Sequence, residues 1–177
     1  MLYALCGESF AGKTTILNAV LQRDPLLGRM ITYTTRSPRS DEVDHVDYHF
    51  VDVHDFEAAI HAGKLVCSIC HRRQWYATSL DDLHACKSRD TLAVLRPDKI
   101  EELRQFTPTS IIGIYIVRPG LVQSTTEDDR ICVTHQHLCT YQVTNISGKL
   151  DLAVTQVLNI VHTRKEVSND VIRYYLP

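Results

Sequence analysis

The chain has 177 residues, 44% of them hydrophobic and 23% charged, with a formal net charge of −2. That length suits one domain that buries a core without disulfide or metal staples. The near-neutral balance excludes a broad electrostatic footprint for nucleic acid or an anionic membrane, and no apolar run of about 18 residues is present to span a bilayer.

The N-terminus lacks the basic region, long apolar stretch and cleavage site of a secretory signal. A cytoplasmic protein is therefore expected, acting on small molecules, with no nucleic acid and no membrane among its partners. Its six cysteines are then read as reduced thiols, because cytosolic redox systems keep them so. Cys67-Ser68-Ile69-Cys70-His71 has the C-x-x-C-H spacing of haem attachment, which without export is read as coincidence. A zinc site joining Cys67 and Cys70 to Cys132, His135, His137 or Cys139 is the metal alternative.

In chain order, Leu2 to Cys6 reads as a short buried strand. Thr14 to Gln22, with Ile16, Leu17, Val20 and Leu21 on one face, reads as an amphipathic helix. Between them lies Gly7-Glu8-Ser9-Phe10-Ala11-Gly12-Lys13-Thr14, followed by Thr15, a match to G-x-x-x-x-G-K-[ST]. The glycines let successive backbone N–H groups turn toward phosphate oxygens, and the helix N-terminus adds partial positive charge. Lys13 is expected to reach the β- and γ-phosphates of ATP, and the Thr14 hydroxyl to ligate Mg2+.

From Ile31 to Thr78 the pattern breaks into short pieces. Tyr48 to Val51, Leu65 to Ile69 and Gln74 to Ala77 read as strands, and Asp55 to Ala62 as a helix, together a small α+β insertion. Strand patterns then follow at Thr91 to Leu95, Ile111 to Val117 and Tyr141 to Thr144, alternating with helical ones at Asp98 to Phe106 and Leu150 to His162. That alternation predicts an α/β fold with a central parallel sheet flanked by helices. Residues 165–177 read as a C-terminal tail, either loose or packed as an extra element.

Thr32 to Phe50 gathers Arg36, Arg39, hydroxyls and Tyr48 into one stretch. Such a set suits a phosphate monoester, since guanidinium pairs bidentately with phosphate while hydroxyls complete its hydrogen bonds. Two phosphate-binding devices in one small chain point to phosphoryl transfer between nucleotides.

Thr32-Tyr33-Thr34-Thr35-Arg36-Ser37-Pro38-Arg39, continuing through Glu42-Val43 to Asp47-Tyr48-His49-Phe50, resembles the guanylate kinases, whose run is S-x-T-T-R-x-P-R-x-G-E-V-x-G-x-D-Y-x-F. The resemblance continues at Asp55-Phe56-Glu57, Ala62-Gly63-Lys64 and Trp75-Tyr76-Ala77-Thr78, and more weakly at Val143-Thr144-Asn145. It implies a P-loop kinase core over residues 1–31 and 79–164, an acceptor-nucleotide insertion at 32–78 and a lid at about 118–140. Arg36, Arg39, Tyr48 and Tyr76 match acceptor-phosphate ligands, Thr32 and Thr78 match base-touching hydroxyls, and Lys13, Arg39 and Arg130 are the implied catalytic cations.

Three departures shape the expected activity. Cys67 stands where the family has its base-reading glutamate, and a thiol is a weak acceptor. Thr91 to Asp98 lacks the family's pair of aspartates and carries Arg96 there. The lid is short, with Arg130 at the position of one lid arginine. The sequence thus predicts ATP- and Mg2+-dependent phosphorylation of a nucleoside or deoxynucleoside monophosphate, with altered base specificity. The competing reading is a guanylate-kinase-like binding module that has lost catalysis. Oligomeric state is left open.

Overall fold

The computed structural model describes residues 1–121 and 126–174, and side chains to residue 163. Nine strands form two sheets among these residues. The larger holds β2 (Gly28–Arg29), β7 (Thr91–Val94), β1 (Leu2–Cys6), β8 (Ile111–Val117) and β9 (Tyr141–Thr144), in that spatial order and parallel throughout.

Strand β1 is central and buried on both faces, which is why it reads as a continuous apolar run rather than an alternating one. The period-2 alternation of a strand still divides its side chains. Tyr3 and Leu5 enter a core with Ile16, Leu17 and Val20 of α1 (Lys13–Arg23) and Val154 and Val157 of α6 (Leu150–Tyr174). Leu2, Ala4 and Cys6 face Ile100 and Leu103 of α4 (Lys99–Arg104) on the other side. Helices thus cover both faces of the parallel sheet, the layered α/β arrangement that the sequence predicts.

The smaller sheet has the order β4 (His49–Phe50), β3 (Tyr33–Thr34), β6 (Gln74–Ser79), β5 (Leu65–His71). Its own small core joins Phe56 of α2 (Val53–His61) to Leu65 and Ala77. Helix α2 starts where Asp52 accepts the Asp55 N–H, a side-chain cap that satisfies one orphan donor. Leaving β6, the chain enters α3 (Leu80–Ala85), whose cap Ser79 accepts from the amides of Asp81 and Asp82. It then returns to the large sheet at β7.

After β8 the chain forms α5 (Glu127–Thr134) and a 3-10 turn, Gln136–Leu138, before β9. Within the expected lid, residues 122–125 lie outside the described residues. In the expected tail, α6 continues as backbone helix to Tyr174, while residues 175–177 lie outside the described residues. No helix among the described residues is long and apolar enough to cross a membrane.

Candidate active site

The turn out of β1 is fixed by two glycines. A Cβ on Gly7, at φ +137°, would stand 2.5 Å from the Ile116 carbonyl oxygen, and one on Gly12, at φ +90°, 2.3 Å from Asn145 Nδ2. Asn145 is buried just past β9 and donates to the Ala11 carbonyl at 2.9 Å, so it grips the loop from behind. Lys13 Nζ folds over the loop and donates to the Gly7 and Glu8 carbonyls at 2.8 and 2.7 Å. Burial pushes the Lys13 pKa below its ordinary value, against the opposing pull of nearby Asp129 and Glu8. The amides of Lys13, Thr14 and Thr15 open helix α1 and have no intrahelical acceptor. They form, with the dipole, a concentrated anion-binding surface.

Helix α5 is fastened to this loop. The Ser9 N–H donates to Asp129 Oδ1 at 2.7 Å, and the Thr126 hydroxyl donates to Asp129 Oδ2 at 2.6 Å. Asp129 is only 1% exposed, and its own amide donates back to the Thr126 hydroxyl, capping α5. Three acids, Glu127, Asp128 and Asp129, occupy the first turn, where the helix dipole favours negative charge.

A cavity of about 350 Å³ joins the P-loop to the small sheet. Gly7, Ser9, Phe10, Lys13 and Thr14 line one end; Thr32, Arg39, Tyr48, Cys67, Tyr76 and Thr78 line the other. Six expected site residues lie outside this lining. Arg36 is turned to Glu42 at 2.8 Å and to the Ser37 carbonyl, and its guanidinium carbon stands 5.3 Å from the Tyr48 ring centroid. Arg130 is exposed on α5. Of the loop, Glu8 and Ala11 contribute backbone rather than cavity wall, while Gly12 and Thr15 face a second cavity, also about 350 Å³, with Arg118, Asn145, Ile146 and Leu150. Arg118 donates to the Phe10 carbonyl at 3.3 Å, joining that recess to the loop.

The Arg36–Glu42 pair carries a pH prediction. Burial pushes the Glu42 pKa up, but hydrogen bonds from Arg36 and the Arg39 amide outweigh it and hold the net value below the ordinary 4.5. A depressed folded-state value contributes stability above the unfolded pKa and loses it as pH falls through the folded one. Glu42→Gln is expected to cost about 1 kcal/mol at pH 7. It should also flatten the decline of stability between about pH 5 and 3; urea melts at several pH values measure both.

At the far end of the cavity, Cys67 occupies a bulge between Val66 and Ile69, at φ +56°. Burial pushes its thiol up to about 12, so it presents no negative charge. Arg96 is held by Asp98 through two hydrogen bonds of 2.8 and 2.7 Å and by Asp128 at 2.7 Å. Asp128 also bonds His71, at the end of β5. One carboxylate therefore links the large sheet, α5 and the small sheet. Burial raises the Asp128 pKa, yet His71 and Arg96 bring the net value below the ordinary one. Arg72, at φ +50° in the β5–β6 turn, adds a further cation to the lining.

Sequence reasoning passed over Asp128, Asp129, Arg72 and Lys99. The Thr126-x-x-Asp129 spacing is a cap signature that could have marked the start of α5; the others become visible only when distant segments meet. Among the described residues, the group of three metal-competent side chains with ligand atoms within 4.8 Å is the exposed Asp52, His54 and Asp55. The Cys67/Cys70 and Cys132/Cys139 segments form no such group.

Comparison with known proteins agrees with this architecture. The guanylate kinase family pattern matches residues 1–148. The guanylate kinase of Aromatoleum aromaticum is 34% identical over 122 residues, covering 68% of this chain and 59% of that protein. That of Nitrosospira multiformis is 26% identical over 98% of this chain and 91% of its own length. The chain thus spans less than two thirds of the first of these relatives. The crystal structure of guanylate kinase from Anaplasma phagocytophilum superposes with a TM-score of 0.65 at 18% identity, covering 92% of this chain and 84% of that one, which supports the fold. With that family pattern matching most of its length, on a P-loop carried by a five-stranded parallel sheet, this chain belongs to the guanylate kinase family.

Proposed function

We propose that the protein transfers the γ-phosphoryl group of ATP to a nucleoside or deoxynucleoside monophosphate, with a base preference that departs from strict guanine recognition. The observation that carries this reading is the single cavity shared by Lys13 and Thr14 at one end and Arg39, Tyr48 and Tyr76 at the other. Two phosphorylated ligands bound there would meet end to end.

In this reading the loop amides and Lys13 hold the β- and γ-phosphates of ATP, and the cavity lined by Gly12, Thr15 and Arg118 takes the donor nucleoside. Arg39, Tyr48 and Tyr76 orient the acceptor phosphate, and Arg36 braces Tyr48 from behind. An acceptor phosphate oxygen forms a bond to the γ-phosphorus as the bond to the bridging oxygen breaks, and ADP leaves with that electron pair. No protein nucleophile is required, because positioning and charge neutralisation lower the barrier. Lys13, Arg39 and Arg72 line the shared cavity and would neutralise charge on the transferring phosphoryl group, whereas Arg130 is exposed and does not line it.

The donor set fits a magnesium-bound triphosphate: Thr14 is exposed at the N-terminus of α1 and lines the same cavity as Lys13. Thr14 would hold Mg2+, which supplies charge neutralisation on the phosphate oxygens.

The altered base preference rests on Cys67 and Arg96. A neutral thiol and a cation stand where the resemblance places acidic base readers. ADP formation measured across all ribo- and deoxynucleoside monophosphates tests both parts. Turnover with at least one monophosphate is expected; turnover confined to GMP and dGMP would remove the altered preference. If no monophosphate exceeds the rate of a Lys13→Ala control, the transferase reading fails and a binding module takes its place.

A further inference from the structure

We infer that Lys99 selects the acceptor base by donating to a ring carbonyl, so that the recess takes oxo bases over their amino counterparts and leaves the 2-amino group of a purine unread. The inference rests on the proposed monophosphate site and concerns which atoms of the base that site recognises.

The recess beyond the acceptor-phosphate groups is bounded by Cys67, Thr78, Val94, Arg96 and Lys99. Its charged groups are already committed in a particular way. Asp98 is taken up by two bonds to Arg96, and Asp128 is shared between Arg96 and His71. Glu102, one turn along α4, pairs with Lys99. Asp129 is engaged by Ser9 and Thr126. Cys67 contributes a neutral thiol. Of these carboxylates only Asp128 and Asp129 line the cavity, and each of their oxygens already accepts a hydrogen bond, so neither stands ready for the N–H groups of a guanine edge.

Donors are placed differently. An ammonium carries three N–H bonds, and Glu102 accounts for one at Lys99. The Lys99 side chain is 17% exposed and lines the cavity, so its remaining donors are within reach of a ligand bound there. Glu102 anchors the ammonium from outside the recess, since it does not line it. An anchored donor of this kind is satisfied by a carbonyl oxygen, O6 of guanine or hypoxanthine or O4 of uracil or thymine. An exocyclic amino group at the same ring position presents a second donor and leaves both unsatisfied. Sites built around one such bond discriminate against the analogue lacking it.

The test compares bases within a ring size, so that shape is held constant. Dissociation constants by calorimetry and kcat/KM are measured for GMP, IMP and AMP, and for UMP and CMP. Whichever ring size binds more tightly, its oxo member is expected to exceed its amino member by about 10- to 100-fold, with GMP and IMP within about threefold of each other. Lys99→Met, which keeps most of the stem but removes the ammonium, should abolish that preference through weaker oxo-base binding. Lys99→Arg should retain it, and this second variant guards against a folding defect in the first. AMP binding as tightly as IMP, or GMP exceeding IMP by more than about tenfold, overturns the inference. An oxo preference in binding without any turnover would remove the kinase reading and leave the assignment of Lys99 intact.

Discussion

Lys13→Ala is expected to lower kcat by roughly 10²- to 10³-fold, the usual consequence of removing one preorganised donor from a developing charge. The structure gives the reason that stability should change far less. Lys13 Nζ donates to the Gly7 and Glu8 carbonyls, and the substitution loses these bonds. It also removes a buried ammonium whose burial already pushes its pKa down, so part of the loss is offset by relief of desolvation. A coupled assay of ADP formation beside a thermal melt separates the two effects. A fall in kcat of less than about tenfold would show that another cation stabilises the transferring group.

Gly12→Ala should weaken both fold and site. At φ +90° an L side chain is strained, and its Cβ would fall 2.3 Å from Asn145 Nδ2. Strain of this kind costs about 1–3 kcal/mol, and overpacking against a buried group about 1–3 kcal/mol more. For a chain of this size each kcal/mol lowers Tm by about 2–4 °C, so a fall of roughly 4–24 °C is expected. Relief of the clash requires Asn145 to release the Ala11 carbonyl, which would loosen the loop from behind. ATP should then raise the Tm of the variant less than that of the parent. A change in Tm under about 2 °C would mean that the loop can shift to accommodate the methyl group.

Strands with both faces buried were legible in the sequence because their apolar runs are unbroken. Ile111–Val117 and Leu2–Cys6 have the bounds that their patterning predicts; the edge strand Tyr141–Thr144 does as well, although Gln142 within it is exposed. The two-residue strands β2 and β3 were not legible, since Gly28–Arg29 and Tyr33–Thr34 are too short to show a period and exist through pairing with β7 and β6. Helices α3 and α5 were missed because short polar segments have weak periodicity, although Ser79 and Thr126 cap them in recognisable fashion.

The P-loop was readable as a local motif because its chemistry is carried by consecutive residues. The far wall of the cleft was not, because Arg96, Asp128 and His71 are separated by 32 and 57 residues and meet only in the fold. Arg36 shows a subtler limit. Its place in the motif was clear, but its commitment to Glu42 depends on how the intervening turn closes.

The bond from the Ser9 amide to Asp129 gives the molecule a built-in spectroscopic handle. Ser9 sits in a loop at the mouth of the cleft, yet its amide proton is held by a carboxylate from another helix. Exchange of that proton with solvent reports the fraction of molecules in which α5 has left the loop. A single resonance, followed as nucleotides are added, therefore reads the docking equilibrium of this helix without any label attached to it.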